Sequence, residues 1–327
     1  MEESPFFDQP NIEVERVMAA AESVKNQLRK VIIGQEETMD FLLIALLTGG
    51  HVLLEGVPGI AKTLTARLLA KAVASVFGRI QFTPDLMPAD VMGTSVFNLK
   101  TSDFSFKPGP VFSNLILIDE INRAPAKTQA ALFEVMEERQ VTVDGKTHRM
   151  SAPFFVMATQ NPIEQEGTYK LPEAQLDRFM FKIMVNYPDL AGEKAILRRF
   201  SSDFDQKSIE NVHPVLTPGD LQACTKIIEN VLIREELMDY IATIVDHTRH
   251  NGDLMLGASP RASLAILKTA KAVAAMNGRG FVTPDDIKYV AHPVLNHRII
   301  LTPDREMDGT TTREVVDDIL KKTEVPR

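Results

Sequence analysis

The chain has 327 residues, 44% of them apolar, with 36 basic against 44 acidic side chains and a formal net charge of −8. That length allows two domains with cores of their own, and the acidic balance argues against bulk attraction to nucleic acid or anionic lipid, though a local basic groove stays open. The single cysteine, Cys224, excludes a disulfide framework, and the longest apolar stretch, FLLIALLTGG (41–50), is too short to cross a bilayer.

The opening MEESPFFDQP is acidic and poor in apolar residues, unlike a secretory signal, so the expected location is cytoplasmic. Residues 12–30 place Ile12, Val17, Ala20, Val24 and Leu28 at helical spacing, and a second helix is expected over 36–48. HVLLEG (51–56) reads as a buried strand, GVPGIAKT (56–63) as a loop, and TLTARLLAKAVASVF (63–77) as a helix. Further strands are expected at RIQF (79–82), NLILIDE (114–120), FFVMATQN (154–161) and FMFKIMV (179–185). TSVFN and FSFKPGPVF, between 94 and 112, suggest an inserted hairpin. QVTVDGKTHRM (140–150) suggests a second, with Asp144-Gly145 in the turn. After YPD (187–189) only helices are expected, near 190–200, 217–229, 234–250, 260–277, 283–292 and 312–323. Thr217-Pro218 and Thr283-Pro284 look like helix starts. The expectation is therefore an α/β domain over 1–188, N-terminal helices included, and an all-helical domain over 189–327.

GVPGIAKT departs from the phosphate-loop pattern G-x-x-x-x-G-K-[ST] at one letter, because Ala61 stands where the second glycine belongs. A surface turn could match by chance, but strand, glycine loop and helix in succession is the context a phosphate loop requires. Alanine is tolerable there if Ala61 already has helical dihedrals, with Gly56 and Gly59 taking the unusual angles. The free N–H groups of the helix start would face the phosphates. Gly56, Pro58, Gly59, Ile60, Ala61, Lys62, Thr63 and Leu64 are thus candidate nucleotide-binding residues.

NLILIDEINRAP (114–125) is an apolar strand ending in two carboxylates, 57 residues after Lys62 in the case of Asp119. Asp119 suits Mg²⁺, directly or through water, and Glu120 suits a general base acting on the attacking water. Adjacent strand residues point in different directions, which suits two separate jobs. Asn161 ends the next strand and could position that water or touch the γ-phosphate, unless it simply caps the turn before Pro162. Arg178 precedes a strand, and Arg261 sits in the first turn of a later helix, where a cation is electrostatically disfavoured. Each arginine could serve a phosphate, Arg178 in its own chain or a neighbour's, but spacing alone would favour surface salt bridges. The pairs His247/His250 and His292/His297 lack partners in a metal-site pattern, and the methionines read as core filling.

These stretches together resemble the MoxR family of AAA+ ATPases: IIGQ (32–35), GVPGIAKT, DEINRAPAKTQAALFEVMEERQVTVDG (119–145), ATQNPIEQEGTYKLPEAQLDRF (158–179) and GASPRA (257–262). In that family alanine commonly precedes the loop lysine, so the odd letter is a family feature. The resemblance implies a P-loop AAA+ parallel-sheet ATPase core with β-hairpin inserts, followed by an all-α lid domain. It assigns Lys62 and Thr63 to Walker A, with Thr63 and Asp119 as the Mg²⁺ ligands, and Asp119 with Glu120 to Walker B. Asn161 matches sensor 1, Arg178 the arginine finger and Arg261 sensor 2. Val31, Ile32, Ile33 and Gly34 would pack near adenine, and Arg123 would face a neighbouring subunit. ATP and Mg²⁺ are the implied cofactors. The implied partners are further copies of the chain, in a ring expected to be a hexamer, and a protein substrate such as one with a von Willebrand A domain.

Two other functions compete. A nucleic-acid motor is a relative by clade, but the acidic balance and the lack of an aromatic–basic cluster oppose it. A kinase or GTP switch is opposed by the absence of an N-K-x-D motif and by the glutamate directly after the Mg²⁺ aspartate.

Overall fold

The computed structural model describes residues 12–57, 59–100, 102–161, 169, 171–201 and 209–326. Helices α1 (Ile12–Leu28) and α2 (Glu36–Leu47) lead into β1 (Val52–Glu55). The phosphate-loop segment then opens α3 (Lys62–Ala72), which stops short of the expected 77. Ala74 turns left-handed (φ 48°), and the Ser75 N–H closes the helix end on the Ala70 carbonyl at 3.0 Å. Phe77 thereby starts β2 (Phe77–Gln81) instead of ending a helix.

Next come α4 (Pro88–Met92) and the hairpin β3 (Gly93–Asn98) with β4 (Asp103–Pro108). β5 (Leu115–Asp119) and α5 (Ala126–Glu138) follow. The second hairpin is β6 (Gln140–Val143) with β7 (Lys146–Arg149), and its turn residues Asp144 and Gly145 both have positive φ, as a tight Asp-Gly turn requires. β8 (Phe155–Gln160), α6 (Glu173–Leu176), β9 (Phe181–Met184) and α7 (Leu190–Phe200) complete this stretch.

Among the described residues the central sheet has five parallel strands in the order β2-β5-β8-β1-β9. β5 is buried along its whole length and β8 up to Gln160, the near-continuous apolar pattern of strands covered on both faces. Leu53, Ile116, Ile118 and Val156 join Phe133 and Phe179 in one core cluster. The chain leaves β1, returns to it strand by strand from β2, and then adds β9 on its other side. Loops at the carboxyl ends of β1, β5 and β8 therefore meet where the strand order reverses, which is where such sheets form crevices.

The remaining elements are α8 (Pro218–Glu229), α9 (Glu235–Arg249), β10 (Leu254–Leu256), α10 (Pro260–Met276), α11 (Pro284–Leu295), β11 (Ile300–Leu301), α12 (Pro303–Met307) and α13 (Thr312–Lys322). Thr283 and Asp286 form a capping box around Pro284, so this helix starts where the sequence signals it. This part is not helical throughout: β10 and β11 pair antiparallel, Leu254 opposite Leu301. Runs this short carry no period of their own and become strands only through pairing.

The chain divides into two compact units, Val24–Leu221 and Gln222–Arg327 with Met1–Ser23. The break is thus later than the change of pattern near 188. The intervening segment is tied to the first unit: Arg199 donates to the Arg29 carbonyl at 2.9 Å, Lys71 to that of Ile209 at 3.0 Å, and the Val215 N–H to that of Ala72 at 2.8 Å. No helix among the described residues is long and apolar enough to cross a membrane.

Candidate functional site

β1 delivers the phosphate-loop segment at the sheet's carboxyl edge. Gly56 is required there for close approach, since a Cβ would collide with the Val185 carbonyl and the Ile60 side chain. Gly59 has φ +87° and takes the unusual angle expected of it, whereas Gly56 does not have positive φ. Ala61 does not behave as expected. It has φ 59° and ψ 19°, left-handed rather than helical, directly before α3. For a residue with a Cβ that conformation costs roughly 1–2 kcal/mol, so the odd letter marks strain rather than a relaxed helix start. Pro58 lies outside the described residues.

The loop borders a cavity of about 520 Å³ lined by Gly59, Ile60, Ala61, Lys62, Thr63 and Leu64, with Arg79 and Gln81 from β2, Asp119 and Glu120 from the end of β5, and Thr159 and Asn161 from β8 and just beyond. Lys62 Nζ donates to the Gly56 carbonyl at 2.5 Å. Burial lowers its pKa below the ordinary lysine value, against the pull of Asp119, Glu120 and Glu55. Asp119 is 8% exposed. Its Oδ2 accepts from Arg79 Nε at 2.7 Å and its Oδ1 from the Thr159 hydroxyl at 3.3 Å. Glu120 directly follows β5 in a left-handed conformation (φ 57°). It accepts from Gln81 Nε2 at 2.8 Å and pairs with Arg123 Nε at 3.0 Å, while its N–H donates to the Thr159 hydroxyl at 3.0 Å. The two acids therefore face separate partners, and one buried threonine touches both residues.

Val31 and Ile32 are buried, Ile33 is half-buried, and Gly34 has φ +74°. Gln35 Nε2 donates to the Ile60 carbonyl at 3.0 Å, tying this segment to the phosphate loop. Arg178 is not among the residues lining the cavity; its Nη1 donates to the Phe133 carbonyl at 2.6 Å and lies 3.5 Å from Glu137. Arg261 belongs to the other unit, in the first turn of α10, where its N–H donates to Ser259 Oγ at 3.2 Å. Arg123 pairs with Glu120 within the chain.

Three contributors are not singled out by the sequence, Gln35, Arg79 and Gln81; Thr159 shares the polar end Thr159-Gln160-Asn161 of its strand, where the sequence favours Asn161. For Arg79 and Gln81 there was a signal. FGRIQ alternates, with both polar residues on one face of an otherwise buried strand. Which acids that face meets follows only from β2 pairing with β5, with Gln81 opposite Asp119.

A five-stranded parallel sheet with a phosphate loop after β1 and an acid pair after β5 defines the core of an AAA+ ATPase. The model of the ATPase family associated with various cellular activities matches residues 51–181, and an AAA lid domain model matches 246–319. The chain is 42% identical to Chaperone MoxR1 of Mycobacterium tuberculosis, over 99% of this chain and 88% of that protein. It is 46% identical to YeaC of Bacillus subtilis, over 91% and 92%. A crystal structure of a provisionally described ATPase from Cytophaga hutchinsonii superposes with a TM-score of 0.89 at 44% identity, covering 97% of this chain and 98% of that one. The chain belongs to the MoxR family of AAA+ ATPases.

Proposed function

We propose that this protein binds ATP with Mg²⁺ in the cavity at the carboxyl edge of the sheet, hydrolyses it, and couples the cycle to chaperone-like remodelling or maturation of a protein partner within a homo-oligomeric ring. The observation that carries this is the convergence of Lys62, Thr63, Asp119, Glu120 and Asn161 on one cavity. The Thr63 hydroxyl and the Asp119 carboxylate are hard oxygen donors on that cavity, a set that suits Mg²⁺. When bound, Mg²⁺ would neutralise charge on the phosphates.

The residues would divide the work as follows. Lys62 places a point charge on the β/γ-phosphates, and the N–H groups at the start of α3 hold the phosphate oxygens. Glu120 accepts the proton of the attacking water, and Asn161 orients that water. Segment 31–34 forms the wall for adenine. Arg178 completes the site of a neighbouring copy. Because one relative carries the name Chaperone MoxR1 and the net charge is −8, a protein partner, such as one with a von Willebrand A domain, is favoured over nucleic acid.

Lys62→Ala should abolish ATP binding, measured by equilibrium titration; tight binding in that variant would remove the phosphate-loop assignment. ATP turnover stimulated by DNA but not by a candidate protein would replace the remodelling role with a nucleic-acid motor.

A further inference from the structure

Both oxygens of Asp119 are engaged within the chain, and the two partners differ in kind. Thr159 is buried and neutral, and its hydroxyl also accepts from the Glu120 N–H, so it is fixed. Arg79 is charged, and its side chain is 54% exposed at the cavity edge. Both contacts are short, and only the one to Arg79 is an ion pair. Among the described residues Arg79 is the cation in contact with it. Lys62 donates elsewhere, and Arg123 pairs with Glu120.

The supply of this arginine follows from strand placement. β2 lies at the sheet edge, with β5 as its neighbour. Arg79 stands opposite Leu117, two residues short of Asp119 along β5. Its long side chain must lean along the strand to reach the carboxylate, and it does so from a largely solvated position. Such a contact orients the Asp119 carboxylate yet can be given up at small cost, because the guanidinium is largely solvated either way.

Resting on the reading that the cavity takes ATP with Mg²⁺, we propose that Arg79 is a displaceable counter-ion of Asp119, which competes with Mg²⁺ for Oδ2 and so sets the Mg²⁺ concentration at which the nucleotide complex forms. Arg79 is a positioning residue in this role. It holds the carboxylate in place, and it yields the oxygen as the divalent cation arrives. Removing it leaves the carboxylate without its competitor.

The test is equilibrium binding of a fluorescent, non-hydrolysable ATP analogue to the full chain, titrated with MgCl₂ from an EDTA-treated start, in wild type, Arg79→Gln and Arg79→Lys. An exposed ion pair corresponds to a factor of about two to five. The Mg²⁺ midpoint should therefore fall about two- to fivefold in Arg79→Gln. Arg79→Lys keeps a charge but loses the fork, and should lie between the two. The same midpoint in all three proteins, with the analogue bound by each, would overturn the proposal. So would loss of analogue binding in a folded Arg79→Gln at every Mg²⁺ concentration, which would make Arg79 a phosphate ligand. If Arg79→Gln does not fold, the Arg79→Lys midpoint decides, a wild-type value counting against the proposal. Failure of wild type itself to bind the analogue would strike the nucleotide-site reading instead.

Discussion

His51 stands just before β1, 5% exposed, and links three elements of the core. The Val156 N–H donates to its Nδ1 at 3.1 Å, so that nitrogen carries the lone pair. Its Nε2 faces the Met136 carbonyl at 3.3 Å and is assigned the hydrogen. A second proton, on Nδ1, would put two donors face to face inside the core. Burial lowers the pKa from 6.5 to about 4; the Met136 carbonyl opposes that shift and Arg139 adds to it. Between those values the unfolded chain binds the proton and the folded one does not, so stability rises with pH across the interval. The contribution of neutral His51 is present above pH 6.5, drains away as pH falls, and is largely lost by about pH 4. At about 1.4 kcal/mol per pH unit, the interval corresponds to roughly 3 kcal/mol, a large share of the ~5–15 kcal/mol by which folded proteins are stable. The assay is urea unfolding of the full chain at pH 7 and pH 4, in wild type and His51→Gln. Glutamine has an amide to accept from Val156 and donate to Met136, and it does not titrate. Wild type should lose about 3 kcal/mol more than the variant between the two pH values. Parallel losses would mean that His51 does not couple protonation to folding, and would refute the assignment of a single neutral tautomer.

Glu120→Gln should bind ATP with near-normal affinity and turn it over at least about 10²-fold more slowly, the usual scale for losing a general base; unchanged turnover would place the base elsewhere. Arg178→Ala should keep nucleotide affinity but lose the steeper-than-linear rise of ATPase activity with protein concentration that ring formation should give. Mixed with Lys62→Ala, it should recover part of the activity, and no recovery in mixtures shown to co-assemble would count against an arginine acting between copies. Ala61→Gly should relieve roughly 1–2 kcal/mol of left-handed strain and give back about 0.4–1 kcal/mol through the freer unfolded chain, for a small net gain in thermal stability. A clear loss would mean that the Ala61 methyl is packed.

Local patterns fix the parts whose physics is local. The apolar run 115–118 is buried, the Asp-Gly turn closes its hairpin, and Thr283-Pro284 caps α11, because each depends on neighbours within a few residues. GVPGIAKT and the Asp119-Glu120 pair stand out as motifs for the same reason: residue type and spacing next to a strand already restrict what such a segment can hold. Where patterns were ambiguous, tertiary pairing chose. Residues 73–77 are apolar but for Ser75 and fit a helix or a strand, and pairing of Phe77 with Leu115 settles the end of that run as strand.

By itself, then, the sequence determined the class of protein and the order in which GVPGIAKT and the Asp119-Glu120 pair follow their strands. Tertiary structure alone decided that Ala61 is left-handed, that the segment after 188 stays with the first unit up to Leu221, and that residues 254–256 pair as a strand. It also decided the counter-charges: Arg79 reaches Asp119 and Gln81 reaches Glu120 across about 40 residues of chain. No local period records such contacts, because they arise only when β2 is laid beside β5 in one register.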